Sequence, residues 1–317
     1  MGSAVRFSPL WTFWCDDRVG CSHGSYEAGE LAVASHHLVV DGADIVYDVH
    51  NQPLSEGRRP LMMIGQPMDA SGFTTLLSFF PDRTVVTYDP RGLGRSTRSD
   101  GSTENRPEVQ AGDVHAVIEA LGVGPVDLFA SSGGAVTALA LVAGFPGDVV
   151  TLVAHEPPAI FALPDVEAAK RACDAMTEVY LARGWGYGMA AFIGMTSWTG
   201  EFTEEYFAQP VAEPGQFGMP AADDGKRDDP LLSERSRPVI DYVPDVAALR
   251  DASTRVVFAV GEETGDTFTG RTVRALAGRV GSGVTVFPSH HGGFLGGEHG
   301  YAGEPEAFAA RLREVLG

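Results

Sequence analysis

A serine near the middle of the chain and a histidine pair near its end are the residues whose types and positions could form a nucleophile and its base. The segment VDLFASSGGAV (126–136) passes from a short apolar run through two serines into a helical pattern. A serine hydroxyl is a weak nucleophile at neutral pH and needs a base within hydrogen-bonding reach. His290 and His291 directly follow another apolar run, VTVF (284–287). The two segments therefore indicate nucleophilic catalysis.

The choice between Ser131 and Ser132 depends on the size of the flanking residues. A nucleophilic serine on a sharp strand-to-helix turn requires small residues two positions away on each side, because the turn has no room for larger ones. Only Ser132 meets this condition, with Ala130 before it and Gly134 after it. We therefore predict Ser132 as the nucleophile, although a serine- and glycine-rich run by itself is also typical of a flexible turn.

Apolar runs that alternate with helix-length stretches predict an α/β domain. The runs are those at 36–40, 44–50, 61–65, 84–89, 126–130, 149–156, 255–260 and 284–287. The first two flank Asp41-Gly42 and predict a hairpin, and the others are typical of buried parallel strands. The helical stretches are clearest at 107–121, 135–143, 268–280 and 305–316. We expect a mostly parallel eight-stranded sheet with helices on both faces and reactive groups at the carboxyl ends of the strands.

The regular alternation is interrupted twice, which suggests a division of the chain. Residues 1–35 have no steady periodicity and are interpreted as an N-terminal extension. Residues 157–250 are helical and aromatic, then rich in glycine, aspartate and proline at 213–230, and are interpreted as an inserted lid. The core is predicted in two parts, 36–156 and 251–317.

These features resemble the α/β-hydrolase superfamily. The run 130–134 is similar to its G-x-S-x-G nucleophile elbow, with Ala130 in place of the first glycine. The run YDPRGLGRS (88–96) is similar to a stretch that follows the fourth strand in this superfamily. We expect Asp89 and Arg91 of that stretch to satisfy backbone groups of its loop. The resemblance covers both parts of the core and implies an α/β-hydrolase fold with an inserted helical lid.

The resemblance also implies a histidine base after the last strand and a carboxylate that orients it. The pattern of a small residue, a histidine and a short loop favours His291 over His290. Haloalkane dehalogenases and zearalenone-type lactonases, both in this superfamily, carry the acid at the strand end that corresponds to Glu156. Most members carry it on the loop that here contains Glu263, with Asp266 nearby. Glu156 is favoured, because Thr264 occupies the usual aspartate position, and Glu263 is kept as the alternative.

Acyl transfer also requires two N–H donors for the carbonyl oxygen that becomes negatively charged. One is expected from Gly133, directly after the predicted nucleophile. The other is expected from Gln66, because LMMIGQP (61–67) resembles the oxyanion loop of the superfamily, usually written H-G-x-P.

The net charge and the hydropathy of the chain limit the classes of partner that it can bind. The net charge of -19 makes nucleic acid and anionic membrane surfaces unfavourable partners, and no window is apolar enough to span a membrane.

Three cysteines, Cys15, Cys21 and Cys173, form neither a disulfide framework nor a metal-ligand set, which indicates a reducing compartment, by default the cytoplasm. No metal or cofactor motif is recognised, so we expect no cofactor. A homodimer is left open.

The sequence therefore predicts a serine hydrolase that cleaves an ester or lactone of a small, apolar molecule through an acyl-enzyme. Epoxide and haloalkane hydrolysis are disfavoured, because those relatives need a carboxylate where Ser132 stands. The alternatives are a non-catalytic receptor for a small ligand on the same fold, and a cofactor-free perhydrolase or carbon–carbon hydrolase.

Overall fold

A computed structural model describes residues 33–51 and 58–317 of the chain. Most of the predicted extension, with Cys15 and Cys21, lies outside the described residues. The first strand begins at Val33, three residues before the position at which the core is predicted to begin. All eight residues of that strand pair with the next one, from Val33 opposite His50 to Val40 opposite Ala43.

The core is one mixed sheet in which the predicted strands are all present. The strands are β1 Val33–Val40, β2 Ala43–His50, β3 Leu61–Gln66, β4 Val85–Tyr88, β5 Thr97–Arg98, β6 Val126–Ser132, β7 Val149–His155, β8 Arg255–Gly261 and β9 Val284–Phe287. Their order is β1-β2-β4-β3-β6-β7-β8-β9, and β5 pairs with β2. The two-residue strand β5 was not predicted, because so short a run has no periodicity. The strands from β3 to β9 on the main path pair in parallel.

Helices cover both faces of this sheet. The core helices are α1 Thr74–Ser78, α2 Pro107–Leu121, α3 Gly133–Gly144, α8 Val246–Asp251, α9 Phe268–Val280 and α10 Pro305–Leu316. Residues of β3 alternate between the two faces: Met62 packs in a cluster with residues of α2, α3 and α9. Met63 packs in a second cluster with residues of α1 and α10. Both faces are therefore buried, which explains why the parallel strands appear in the sequence as continuous apolar runs.

The region between β7 and β8 contains the other helices. These are α4 Val166–Arg183, α5 Trp185–Ser197, α6 Glu204–Phe207 and α7 Arg237–Ile240. Apolar side chains of this region form a separate cluster that includes Met176, Ile193 and Phe202 and is joined to the core by Phe268 of α9. None of the helices in the described residues is long and apolar enough to cross a membrane.

The loop after β4 is held together by charged side chains. The Asp89 carboxylate accepts hydrogen bonds from the backbone N–H groups of Ala70 and Arg95, as expected. Arg91 differs from the expectation, because its guanidinium mainly forms a buried two-point ion pair with the Asp113 carboxylate of α2. The loop is thus attached to a core helix, and this role could not be read from local sequence because the partner is distant along the chain.

Candidate active site

Ser132 is the last residue of β6 and immediately precedes α3. Its backbone has φ 56° and ψ −128°, in a region that non-glycine residues seldom occupy and that costs about 1–3 kcal/mol. The following turn also approaches β3 closely: a Cβ on Gly134 would lie 2.7 Å from the Cα of Gly65. The small residues of the run 130–134 are therefore required by backbone packing, and they hold Ser132 at the carboxyl end of the sheet.

Glu156 directly follows β7, the strand next to β6, and is completely buried. Its backbone also has a positive φ, 49°. Its Oε1 accepts hydrogen bonds from the N–H of Gly261 at 2.9 Å and from the hydroxyl of Thr264 at 2.5 Å. Its Oε2 accepts one from the hydroxyl of Thr269 at 2.6 Å. A buried carboxylate with this many donors has a fixed orientation.

The side chain of His291 meets the same carboxylate. Its Nδ1 lies 2.7 Å from Oε2 of Glu156. Because a carboxylate only accepts hydrogen bonds, Nδ1 carries the hydrogen, and this directs the other ring nitrogen, Nε2, to act as the acceptor. Glu263 and Asp266 are both exposed on the loop after β8. The structure thus brings His291 together with Glu156 and not with either alternative acid.

The electrostatics of Glu156 follow from these contacts. Burial by itself would raise the pKa of its carboxyl group. The hydrogen bond and charge of His291, the nearby ring of His155 and the hydroxyl of Thr264 together hold that pKa well below its usual range. The group is therefore a carboxylate at neutral pH, which is the form that can stabilise a histidinium.

His290 has a different environment from its neighbour. Its Nδ1 accepts a hydrogen bond from the N–H of Gly292 at 3.1 Å, and its ring packs edge-on against Tyr301. It does not line either of the cavities that His291 lines. The structure therefore places His290 as a loop residue next to the site.

Sequence reasoning missed three residues around Glu156. Thr264 and Thr269 donate to its carboxylate. His155 is fully buried, its Nδ1 lies 3.2 Å from Oγ of Ser131, and its ring stacks on that of His291 with centroids 5.9 Å apart. One signal was available: a threonine occupies the position where the superfamily commonly carries its acid.

Two cavities meet at the predicted nucleophile and base. The first has a volume of about 80 Å³ and the second about 150 Å³. The residues that line both are Gln66, Pro67, Ser132, Phe192, Leu231 and His291. Phe192 and Leu231 come from the region between β7 and β8, so the inserted helices form part of the wall. The predicted nucleophile and base therefore lie in the walls of two adjoining cavities.

The two predicted oxyanion donors are neighbours in the fold. Gln66 ends β3 and is the register partner of Ser132 in the parallel pair of β3 and β6. Gly133 is the first residue of α3, and a first-turn N–H has no acceptor within its own helix. The two residues are close, since a Cβ on Gly133 would lie 2.9 Å from the carbonyl oxygen of Gln66. Their assignment as oxyanion donors stays a prediction.

Comparison with known proteins gives a family match and a partial relative. A family model described as the alpha/beta hydrolase fold matches residues 67–183. An uncharacterized hydrolase of Bacillus subtilis, YraK, is 33% identical over 130 residues, which are 40% of this chain and 46% of that protein. The chain thus matches less than half the length of this relative.

Solved structures resemble the whole fold at low sequence identity. A thermophilic esterase from Thermogutta terrifontis superimposes with a TM-score of 0.59 at 18% identity, covering 89% of this chain and 98% of the esterase. Est816, described as an N-acyl homoserine lactone degrading enzyme, superimposes with a TM-score of 0.54 at 17% identity, covering 89% of this chain and 98% of that one. At these identities the likeness shows the shared fold.

Proposed function

We propose that this chain, which has the α/β-hydrolase fold and matches that family's model over residues 67–183, is a serine hydrolase that cleaves a carboxylic ester or lactone of a small molecule. The observation that carries the proposal is the 2.7 Å contact between Nδ1 of His291 and the buried carboxylate of Glu156, at the point where both cavities meet beside Ser132. The esterase and lactonase activities of the structural neighbours Thermogutta esterase and Est816 are consistent with it.

The proposed reaction has two steps. His291 accepts the proton of the Ser132 hydroxyl as its oxygen attacks the substrate carbonyl, and the N–H groups of Gln66 and Gly133 stabilise the oxyanion. The imidazolium then gives the proton to the departing alcohol oxygen, leaving an acyl-enzyme. A water molecule, deprotonated by His291, cleaves the acyl-enzyme and regenerates the serine. Glu156 holds the imidazole and stabilises its charged form throughout.

A serine-directed probe tests the proposal. Wild-type protein should be labelled by a fluorophosphonate probe and should hydrolyse p-nitrophenyl esters, and Ser132→Ala should lose both properties with an almost unchanged melting temperature. Ser131→Ala is the matched control, because its hydroxyl contacts His155 instead of facing the predicted base, and it should still be labelled. Labelling that survives in Ser132→Ala would move the nucleophile to another residue. Absence of labelling and turnover in the wild type would favour the receptor alternative.

A further inference from the structure

Two buried carboxamides near the proposed active site have no hydrogen-bond partner among the described residues. Gln66 is 4% exposed and Asn105 is 0% exposed. Neither the side-chain nitrogen nor the side-chain oxygen of either residue is hydrogen-bonded. Buried polar groups in folded proteins are almost always paired, because an unpaired one loses its hydration without compensation. Two such amides in one place therefore indicate that these groups bind a ligand and do not serve to stabilise the fold.

Both carboxamides line the first of the two cavities, which we name the polar lobe after them although most of its other lining side chains are apolar, and Gln66 also lines the second cavity. Gln66 reaches it from the end of β3, opposite Ser132. Asn105 reaches it from the loop before α2, and that loop is fixed by a 2.8 Å hydrogen bond from the Asn105 N–H to the carbonyl of Arg235. The polar lobe also contains the hydroxyl-bearing residues Thr196 and Ser233.

The groups available in the polar lobe are neutral. Arg237 lines it, but its guanidinium is engaged by the carboxylates of Asp174 and Asp241. The hydroxyl of Thr196 donates to the carbonyl of Phe192 in its own helix at 2.8 Å. The hydroxyls of Ser233 and Ser236 likewise donate to the carbonyls of Asp229 and Leu231. The two carboxamides differ from these groups, because each has N–H donors and a carbonyl acceptor that no described residue engages. The complementary ligand group is one that also donates and accepts and carries no charge.

The second cavity, which we name the apolar lobe, differs from the first in that Asn105 does not line it. Most of the residues that line it alone have sulfur or hydrocarbon side chains, namely Met68, Met189, Ile193, Met219, Phe294 and Leu295, and its polar residues include Ser131, His299 and Tyr301. Because the two lobes meet at Ser132 and His291, a substrate bound across the nucleophile would place one end in each. Since Asn105 lines only the polar lobe, the lining predicts a molecule with a hydrogen-bonding group on that side and a hydrocarbon portion on the other.

On this basis we infer that the substrate is an ester or lactone with a hydrocarbon portion on one side of the scissile carbonyl and a secondary amide, or a group of the same hydrogen-bonding character, on the other. The inference rests on the proposed function and narrows the apolar substrate expected from the sequence. Asn105 and the side chain of Gln66 are assigned as specificity-determining groups.

Matched ester pairs test the inference. One pair places the amide on the acyl side: the p-nitrophenyl esters of N-acetylglycine and of pentanoic acid. The other places it on the alcohol side: the hexanoate esters of N-hydroxyethylacetamide and of pentanol. Each pair has the same chain length and differs by the amide. The quantity measured is the ratio of kcat/KM for the amide ester to that for its hydrocarbon partner, in wild type and variants. Comparing variants with the wild type cancels the intrinsic reactivity difference within a pair.

The variants remove the amides without changing side-chain volume much. Asn105→Leu and Gln66→Met should each lower the ratio by about 10- to 100-fold in one of the two pairs, the usual effect of losing a buried hydrogen bond to substrate. Thr196→Val, which lines the same lobe but has its hydroxyl engaged in α5, should leave the ratio nearly unchanged. Because Asn105 and Gln66 are tested separately, the experiment still gives an answer if one of the two variants does not fold.

A binding measurement separates failure of this inference from failure of the proposed function. Calorimetric titration of the Ser132→Ala protein with the amide and hydrocarbon esters needs no turnover. Tighter binding of an amide ester that Asn105→Leu abolishes would support the inference even if no ester were hydrolysed. Ester hydrolysis with ratios that change less than about threefold in every variant, together with equal binding of both members of each pair, would refute the inference while leaving the serine hydrolase intact.

Discussion

Glu156 and Ser132 are both held at positive φ at the ends of adjacent strands, β7 and β6. Such backbone conformations persist only where the surroundings enforce them. For Glu156 the surroundings are the donors of Gly261, Thr264 and Thr269, all on or after β8. Three segments therefore fix one carboxylate, which is more than a surface loop acid would need.

This arrangement predicts which acid variant is inactive. Glu156→Gln should lower kcat for an ester by about 10⁴, because the amide can no longer hold and stabilise the charged imidazole. Glu263→Gln is the matched control on the loop after β8. Its side chain is exposed, so kcat should stay close to wild type. Steady-state kinetics on a p-nitrophenyl ester measures both, and comparable losses in the two variants would contradict the assignment of Glu156.

The buried side chain of His155 makes the stability of the fold depend on pH. Burial among aromatic rings lowers its pKa to about 4, partly opposed by the charge of Glu156 and reinforced by His291 and His290. The unfolded chain binds this proton near pH 6.5. As the pH falls from 6.5 towards 4, the unfolded state is protonated and the folded state is not, so stability is lost in that window.

The expected size of this loss can be measured. Between pH 7 and pH 5 the neutral His155 should reduce the free energy of unfolding by on the order of 2 kcal/mol. His155→Phe, which keeps a ring beside Phe287 and Phe308, should show a pH dependence smaller by that amount. Urea unfolding of both proteins at the two pH values gives the difference. Parallel pH profiles would show that His155 does not titrate as its burial implies.

At the scale of elements, the approach of α3 to β3 positions Ser132, the proposed nucleophile. The missing side chain of Gly134 leaves room for the backbone of Ile64 and Gly65, which would lie 2.8 and 2.7 Å from an added Cβ. Neither atom belongs to a flexible side chain. A methyl group here must therefore move α3, and the turn with Ser132 would move with it.

Gly134→Ala should consequently be destabilising. We expect a loss of about 1–3 kcal/mol in the free energy of unfolding, as for other overpacked cores, and a lower kcat. Gly112→Ala is the control inside helix α2, where an added Cβ would meet nothing within 4 Å. It should stabilise by about 0.5–1 kcal/mol because alanine favours helix. Chemical denaturation of both variants measures the contrast, and an unaffected Gly134→Ala would mean that the turn tolerates a shift of α3.

At the scale of the whole molecule, the inserted helices are fastened to the core by a nearly buried ion pair. Arg271 of α9 contacts the carboxylate of Asp165, which stands just before α4, and their side chains are 10% and 9% exposed. The same carboxylate accepts the N–H of Phe202 at 2.9 Å. The Asp165 carboxylate thus connects the start of the inserted region both to its later part, at Phe202, and to the core, at Arg271.

Removing the cation should loosen this attachment. Arg271→Met leaves a buried carboxylate without its partner, and we expect a cost of about 3–5 kcal/mol. Arg274→Met, on the same helix, is the control. Arg274 is 40% exposed and lies 3.9 Å from an exposed Asp266, so its loss should cost less than about 1 kcal/mol. Equal thermal and chemical stability of the two variants would show that the ion pair does not hold the insertion.

The sequence alone was sufficient for the longer elements of the core, and it missed the short elements α1, β5 and α8. The bounds of α2, α9 and α10 agree with the predicted stretches, because each ends at a glycine or begins at a proline. All eight predicted strands are present, since strands buried on both faces appear as apolar runs. The fold follows from these local signals and from the elbow motif, which depends on small residues within five positions.

The tertiary structure decided what depends on residues far apart along the chain. Glu156 and Glu263 have equivalent side chains in the sequence, and only the packing of β7 against β8 places Glu156 beside His291. The same holds for other residues of the site, whose roles depend on neighbours more than twenty positions away. They are the donors Thr264 and Thr269, the buried His155 and the unpartnered amides of Gln66 and Asn105. Local propensity fixes an element, whereas a site is defined by distances between elements, and those distances arise only when the sheet is assembled.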